Sequence, residues 1–157
     1  MAVEAPLSKF KKNNVKIFIA VLVGLAIWCV YDGYLNEKFI EEHTKGYGTE
    51  NAQPYGWLVV NRKAPPFLIG GAVVLAVYLL IIKDRKLTAD DTALTINGGK
   101  KIAYDKIERI DKTHFDTKGH FVITHVDEGG KEVDLKLSDK VYDNLSAVLD
   151  ELVAKIS

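Results

Sequence analysis

Two long apolar runs dominate the first half of this chain: Ile17–Tyr31 and Phe67–Ile82 contain no charged residue. Bare helices of that kind are at home in lipid, where the backbone satisfies its own hydrogen bonds and the side chains need no water. A helix needs roughly 20 mostly apolar residues to cross a hydrocarbon core of about 30 Å. The first run reaches that length over 15–35 and the second over 64–82. Lys16 can snorkel at one end of the first, and Trp28, Tyr31 and Tyr34 suit the interface at the other. Pro65 and Pro66 suit the start of the second helix, where early N–H groups have no partner anyway. A cleaved signal peptide fits poorly, because no A-x-A-like site follows and a second apolar run does. A buried core helix fits poorly too, because neither run carries a polar face.

Basic residues orient the pair. Lys9, Lys11, Lys12 and Lys16 precede the first run, and Lys83, Arg85 and Lys86 follow the second. The positive-inside rule then makes both flanks cytoplasmic, with Arg62 and Lys63 on the opposite side of the pattern. The expected division is a cytoplasmic segment 1–14, transmembrane helices 15–35 and 64–82 with an extracytoplasmic connection 36–63 between them, and a cytoplasmic domain 83–157. That places the chain in a cell inner membrane. In the connection, Asn36–Lys45 is helix-compatible and Gly46–Gly56 reads as loop. Trp57-Leu58-Val59-Val60 reads either as a segment resting on the membrane or as a contact with another membrane subunit. Gly24, Gly70 and Gly71 are candidates for close helix packing, although no GxxxG pattern is present.

After Leu87 the period changes. Strands are expected at Leu94–Ile96, Lys101–Tyr104, Ile107–Phe115, His120–Val126 and Glu132–Leu137, with turns at Asn97-Gly98-Gly99, Thr117-Lys118-Gly119 and Asp127-Glu128-Gly129-Gly130. A helix capped by Ser138 or Asp139 should follow, with Val141, Leu145, Val148, Leu149, Leu152 and Ile156 on one face. The fold class is α+β: a two-helix transmembrane hairpin, then a small antiparallel β-sheet or half-barrel capped by one C-terminal helix.

The residues Leu87-Thr88-Ala89-Asp90-Asp91, Leu94-Thr95-Ile96, Gly98-Gly99 and Ile102–Ile110 carry a resemblance. Together with the preceding apolar pair, they resemble the membrane-anchored bacterial pleckstrin-homology-like proteins. Ile102, Tyr104 and Ile107 match a "hydrophobic-x-aromatic-x-x-Ile" step common there. The resemblance covers roughly 86–157 and implies a PH-like domain, whose full form has seven strands where the pattern shows five. It also implies a lipid or partner contact at Lys100 and Lys101, beside the first hairpin turn.

Chemistry is sparse. Phosphate loops, nucleophile elbows, HExxH and cysteine pairs are missing from the sequence, and Cys29 stands alone inside the first apolar run. No enzyme activity, cofactor or metal is expected. His120 and His125 are five residues apart, so an extended strand sends them to opposite faces, and His114 and His43 complete the set. Asp32 ends the first apolar run and reads as an interfacial carboxylate. The chain is neutral overall, but residues 1–83 carry nine Lys/Arg against six Asp/Glu and the remainder twelve against fifteen. A net-acidic tail argues against nucleic acid as a partner. The expected partners are membrane lipids and other membrane subunits, with a homo-oligomer admitted. The leading expectation is a non-catalytic docking module, with an accessory or assembly subunit of a larger membrane complex as one form it can take; the alternative is an anionic-lipid or membrane-surface sensor.

Overall fold

The computed structural model describes residues 2–156. Its elements in chain order are β1 (Val3–Pro6), α1 (Lys9–Val30), α2 (Glu37–Glu42), β2 (Thr44–Lys45), β3 (Gln53–Pro54), α3 (Trp57–Ile82), β4 (Lys86–Ala89), β5 (Ala93–Ile96), β6 (Lys100–Ala103), β7 (Ile107–Asp111), α4 (Phe115–Lys118), β8 (His120–Val126), β9 (Glu132–Ser138) and α5 (Leu145–Ile156). The chain divides into two compact units. One unit joins the N-terminal residues as far as Asn13 to everything from Leu80 onward; the other is Asn14–Leu79.

In the first unit, β1, β4, β5 and β6 form one antiparallel sheet in that order, and β7, β8 and β9 form another. The N-terminal segment is therefore more than a charged flank. Val3–Pro6 pairs with Lys86–Ala89, residue for residue, across the whole intervening helical insertion. Ala5 is fully buried and Leu7 nearly so. The described sheets of this unit thus hold seven strands where the pattern showed five. Alternation along the strands builds the core: Leu87, Leu94, Ile102, Phe121, Ile123 and Leu137 point inward, and α5 covers them with Leu145, Val148, Leu149 and Leu152. Phe115 meets Phe121 edge-on at 5.7 Å between centroids.

The hairpin signals hold: Asn97 and Gly98 both adopt positive φ, and Gly130 does so in the β8–β9 turn. Two expectations for this unit need correction. Ile107–Phe115 is not one strand. It stops at Asp111, where the side chain accepts from the Thr113 N–H at 3.0 Å, and α4 follows. The Thr113 hydroxyl and N–H hold the Asp111 carboxyl below its ordinary value. Gly119 then ends α4 at φ 64°, with its amide on the Phe115 carbonyl at 2.8 Å. The last helix starts at Leu145 and is capped by neither Ser138 nor Asp139. The segment before it is used by the N-terminal strand instead: Leu7 bridges Tyr142, and Asp143 donates its N–H to the Pro6 carbonyl at 2.9 Å. Tertiary pairing outweighs a local cap worth about 1 kcal/mol.

Ser8 is the residue that turns this strand into α1. It is fully buried; its hydroxyl donates to the Lys140 carbonyl at 2.6 Å and accepts from the Lys11 N–H at 3.0 Å. It is therefore the N-cap, and α1 begins at Lys9, six residues before the apolar pattern. Ser8→Ala removes the cap and orphans a carbonyl, so we expect a loss of about 1–2 kcal/mol. The check is a lower urea midpoint for the sheet unit with an unchanged denaturant slope.

In the second unit, α1 and α3 are each long and apolar enough to cross a membrane. Their large apolar side chains are mostly exposed: Phe18, Ile27, Trp28, Phe67, Val74 and Ile81 among them. After Val30, α1 widens into a π-turn over Tyr31–Leu35, closed by the Asn36 N–H on the Tyr31 carbonyl at 2.9 Å. Asn36 then caps α2 by accepting from the Phe39 N–H.

The second long helix begins at Trp57, not at residue 64, so Trp57–Val60 is its first turn and Pro65 and Pro66 lie inside it. A proline supplies no N–H to the carbonyl four residues back, so Asn61 and Arg62 lose their helical donors. The Tyr34 hydroxyl lies 3.5 Å from the Arg62 carbonyl and supplies one substitute.

Candidate functional site

The glycines singled out from sequence behave differently from one another. A Cβ built at Gly24 or Gly70 would meet nothing within 4 Å, whereas one at Gly71 would lie 3.5 Å from Leu22. Among these helix-pair glycines the tightest surroundings fall at Gly33, in the turn after α1. A Cβ there would sit 3.3 Å from Arg62 Cγ and from the Asn61 carbonyl oxygen. The Arg62 Nε donates to the Gly33 carbonyl at 2.9 Å, and its guanidinium lies 5.5 Å from the centre of the Tyr34 ring. This explains a charge that breaks the positive-inside pattern: Arg62 is tied to the π-turn. Sequence periodicity could not reveal it, because a π-turn leaves no compositional mark. Asp32 is similarly engaged, accepting from Trp28 Nε1 at 2.6 Å and Asn36 Nδ2 at 2.9 Å.

The two lysines have a more specific setting. Lys100 and Lys101 open β6, just after the Asn97-Gly98 turn. The β5–β6 turn and the β8–β9 turn, one from each sheet, border a cavity of about 570 Å³. Its wall includes Lys100, Lys101, Lys106, Asp127 and Glu128, and His125 lines it as well.

Sequence spacing sets His125 opposite His120 and assigns it no site; its burial sets it apart. Phe121, Ile123 and His125 alternate along β8, so His125 takes the last inward position, where the pattern calls for an apolar side chain. It is 2 % exposed, and neither ring nitrogen has a hydrogen-bond partner among the described residues. Buried polar groups are nearly always paired, because an unpaired one costs about 1–3 kcal/mol. The signal that could have found it is the inward phase of an imidazole in an otherwise apolar strand face.

The remaining histidines form no comparable site. His114 and His120 approach each other with ring centroids 5.6 Å apart, and His43 bonds through Nδ1 to the Phe39 carbonyl at 2.9 Å. No three His, Cys, Asp or Glu side chains converge for a metal among the described residues.

Around the β4–β5 turn the polar groups are structural. Asp90 accepts from the Thr92 and Ala93 N–H groups at 2.8 Å each and from the Thr92 hydroxyl at 2.9 Å. Those bonds, the Thr92 backbone one foremost, lower its pKa. The Tyr104 hydroxyl donates to the Asp90 carbonyl at 2.6 Å. Burial, with the nearby Asp90 charge, pushes that phenol up to about 12, so it remains a donor across the working pH range.

No protein family, curated protein or solved structure matches the chain.

Proposed function

We propose that this chain is a membrane-anchored, non-catalytic docking module, with a PH-like sheet domain held on the cytoplasmic face by a two-helix anchor. One observation carries the reading. The strand before the first long helix pairs with the strand after the second, Pro6 opposite Lys86 and Val3 opposite Ala89. A strand ladder cannot form through a bilayer, so both flanks of the helix pair share one side. An even number of spans meets that condition, and two helices of spanning length lie between. The basic flanks, Lys9, Lys11 and Lys12 on one and Lys83, Arg85 and Lys86 on the other, favour the cytoplasmic side.

The PH-like reading is supported by strand arithmetic. Seven strands, split four and three, with one C-terminal helix is the complement that the resemblance in the tail calls for. Docking is supported by what the unit offers: β6 and β9 are sheet edges with free hydrogen-bonding sides, suited to strand addition. The docking we propose takes the form of an accessory role in a larger membrane complex.

The test is extraction in mild detergent followed by native-size analysis and identification of co-purifying chains. We expect a particle larger than the monomer, containing other membrane proteins. A lone monomer, under conditions that preserve known complexes of the same membrane, would overturn the docking reading. Protease digestion of sealed vesicles checks the side: the sheet unit should be protected in right-side-out vesicles and cut in inverted ones.

A further inference from the structure

We propose that the groove along α1 from Gly24 to Asp32 binds a lipid whose headgroup carries a primary ammonium, with Asp32 taking the ammonium and Gly24 making room for an acyl chain. The site rests on the membrane anchor proposed above, and three observations point to it.

The first is shape. A cavity of about 590 Å³ is lined by Gly24, Ile27, Trp28, Tyr31, Asp32 and Asn36, all from α1 and the turn that follows it. Steps of three and four residues put this lining on one face of the helix. A Cβ built at Gly24 would meet nothing within 4 Å, so the groove is open there. From Gly24 to Asp32 is roughly 12 Å along the helix axis, most of the roughly 15 Å that one leaflet gives to the hydrocarbon core.

The second is charge. Asp32 is the one charged side chain in the lining, and it makes no ion pair among the described residues. Its two oxygens accept one hydrogen bond each, from Trp28 Nε1 and Asn36 Nδ2, and a carboxylate has about four lone-pair positions, so acceptor capacity is left over. Arg62 does not supply the counter-charge, because its Nε donates to the Gly33 carbonyl and its guanidinium lies by the Tyr34 ring. A carboxylate beside hydrocarbon without a cation is costly.

The third is the pair of aromatic rings. Trp28 and Tyr31 line the same cavity as Asp32, and aromatic faces attract cations. An ammonium at Asp32 therefore meets a carboxylate and aromatic rings together, while its acyl chain follows Ile27 down to Gly24. A primary ammonium has three N–H donors for the spare lone pairs of Asp32. A trimethylammonium headgroup has none, and an anionic headgroup is repelled. A partner helix suits the groove less well. Close helix approach needs small residues at intervals, and on this face Ile27, Trp28 and Tyr31 are large where Gly24 alone is small. A flexible chain adapts to such an irregular surface.

The experiment reads Trp28 fluorescence in the full chain. The sequence has two tryptophans, so Trp57→Phe leaves Trp28 as the single reporter. The protein is placed in phosphatidylcholine nanodiscs in which a minor fraction of the lipid carries brominated acyl chains, which quench tryptophan on contact. That fraction is phosphatidylethanolamine, phosphatidylcholine or phosphatidylglycerol in three parallel series. We expect saturable quenching by the brominated phosphatidylethanolamine, with an apparent affinity about tenfold above that of the brominated phosphatidylcholine, the size expected of hydrogen bonds to a charged group. Phosphatidylglycerol should quench no better than phosphatidylcholine. Asp32→Asn keeps an acceptor for Trp28 and should remove the preference for phosphatidylethanolamine. Gly24→Leu should weaken it by filling the groove; leucine is a better helix former than glycine, so this second variant reports on the site even if Asp32→Asn disturbs the turn. Equal quenching by phosphatidylethanolamine and phosphatidylcholine overturns the site and leaves the anchor standing. If in that case Asp32→Asn also loses a co-purifying chain, the carboxylate belongs to a basic residue of a partner instead. A preference that survives both substitutions overturns the site as well. No quenching by any brominated lipid removes the anchor and the site together.

Discussion

Expressed alone, residues 83–157 are expected not to fold. That stretch looks like a complete tail domain, but it lacks β1, the strand that covers the outer side of β4. Without it the Ala5 and Leu7 side chains leave the core, and Leu87 and Ala89, both fully buried, lose their cover on one side. Burial of one leucine is worth about 1.5–3 kcal/mol, and four ladder pairs go with it. Small domains have about 5–15 kcal/mol in total, so the loss takes a large share. The exposed β4 edge also invites aggregation.

The decisive comparison is a rejoined chain. The Leu7 N–H donates to the Arg85 carbonyl at 2.9 Å, so the two ends are in contact and a short Asn/Gly linker bridges them. A chain running through Ser8, such a linker and then Arg85 to the end should melt cooperatively. The tail alone should show no cooperative transition and few dispersed amide resonances. Equal thermal midpoints for the two would refute the discontinuous domain.

How much of this was readable beforehand varies with the range of the interactions. The turns at Asn97-Gly98 and Gly129-Gly130 were legible because positive φ is a local demand, and only a few residue types meet it cheaply. The apolar face of α5 was legible because it repeats with the helical period. The N-terminal strand was not. Val3–Pro6 is four residues long, ends in proline and finds its partner some 80 residues away, so nothing local distinguishes it from a loop. The start of α5 was misplaced for the same reason, since residues 141–143 answer to that distant strand. At the candidate site, Lys100 and Lys101 were found by their place beside a turn. His125 was weighed only as a metal ligand, and its meaning comes from burial in a strand whose other inward residues are apolar.

If lipid surrounds the helix pair, as proposed, a carboxylate placed at Val74 is expected to release the chain from the membrane. Val74 lies within α3 and is 67 % exposed in the chain. The two candidate environments make opposite predictions there. In water an exposed Val→Asp change in a helix costs only a few tenths of a kcal/mol in propensity and removes an apolar surface that favours aggregation. In lipid the same change replaces a favourable side chain with one that costs about 3 kcal/mol near the centre of a span. That corresponds to more than a hundredfold shift in the insertion equilibrium. The measurement is the carbonate-resistant fraction of the full chain, with Lys38→Asp in the connection as a control. Val74→Asp should release most of the protein and the control little. Ile17, Phe18, Ile27, Phe67, Val74 and Ile81 of α1 and α3 are all exposed large apolar side chains. If Val74→Asp leaves the membrane-bound fraction intact, lipid does not surround that face. A protein partner must then cover it, and the shared side of β1 and β4 no longer argues for two spans.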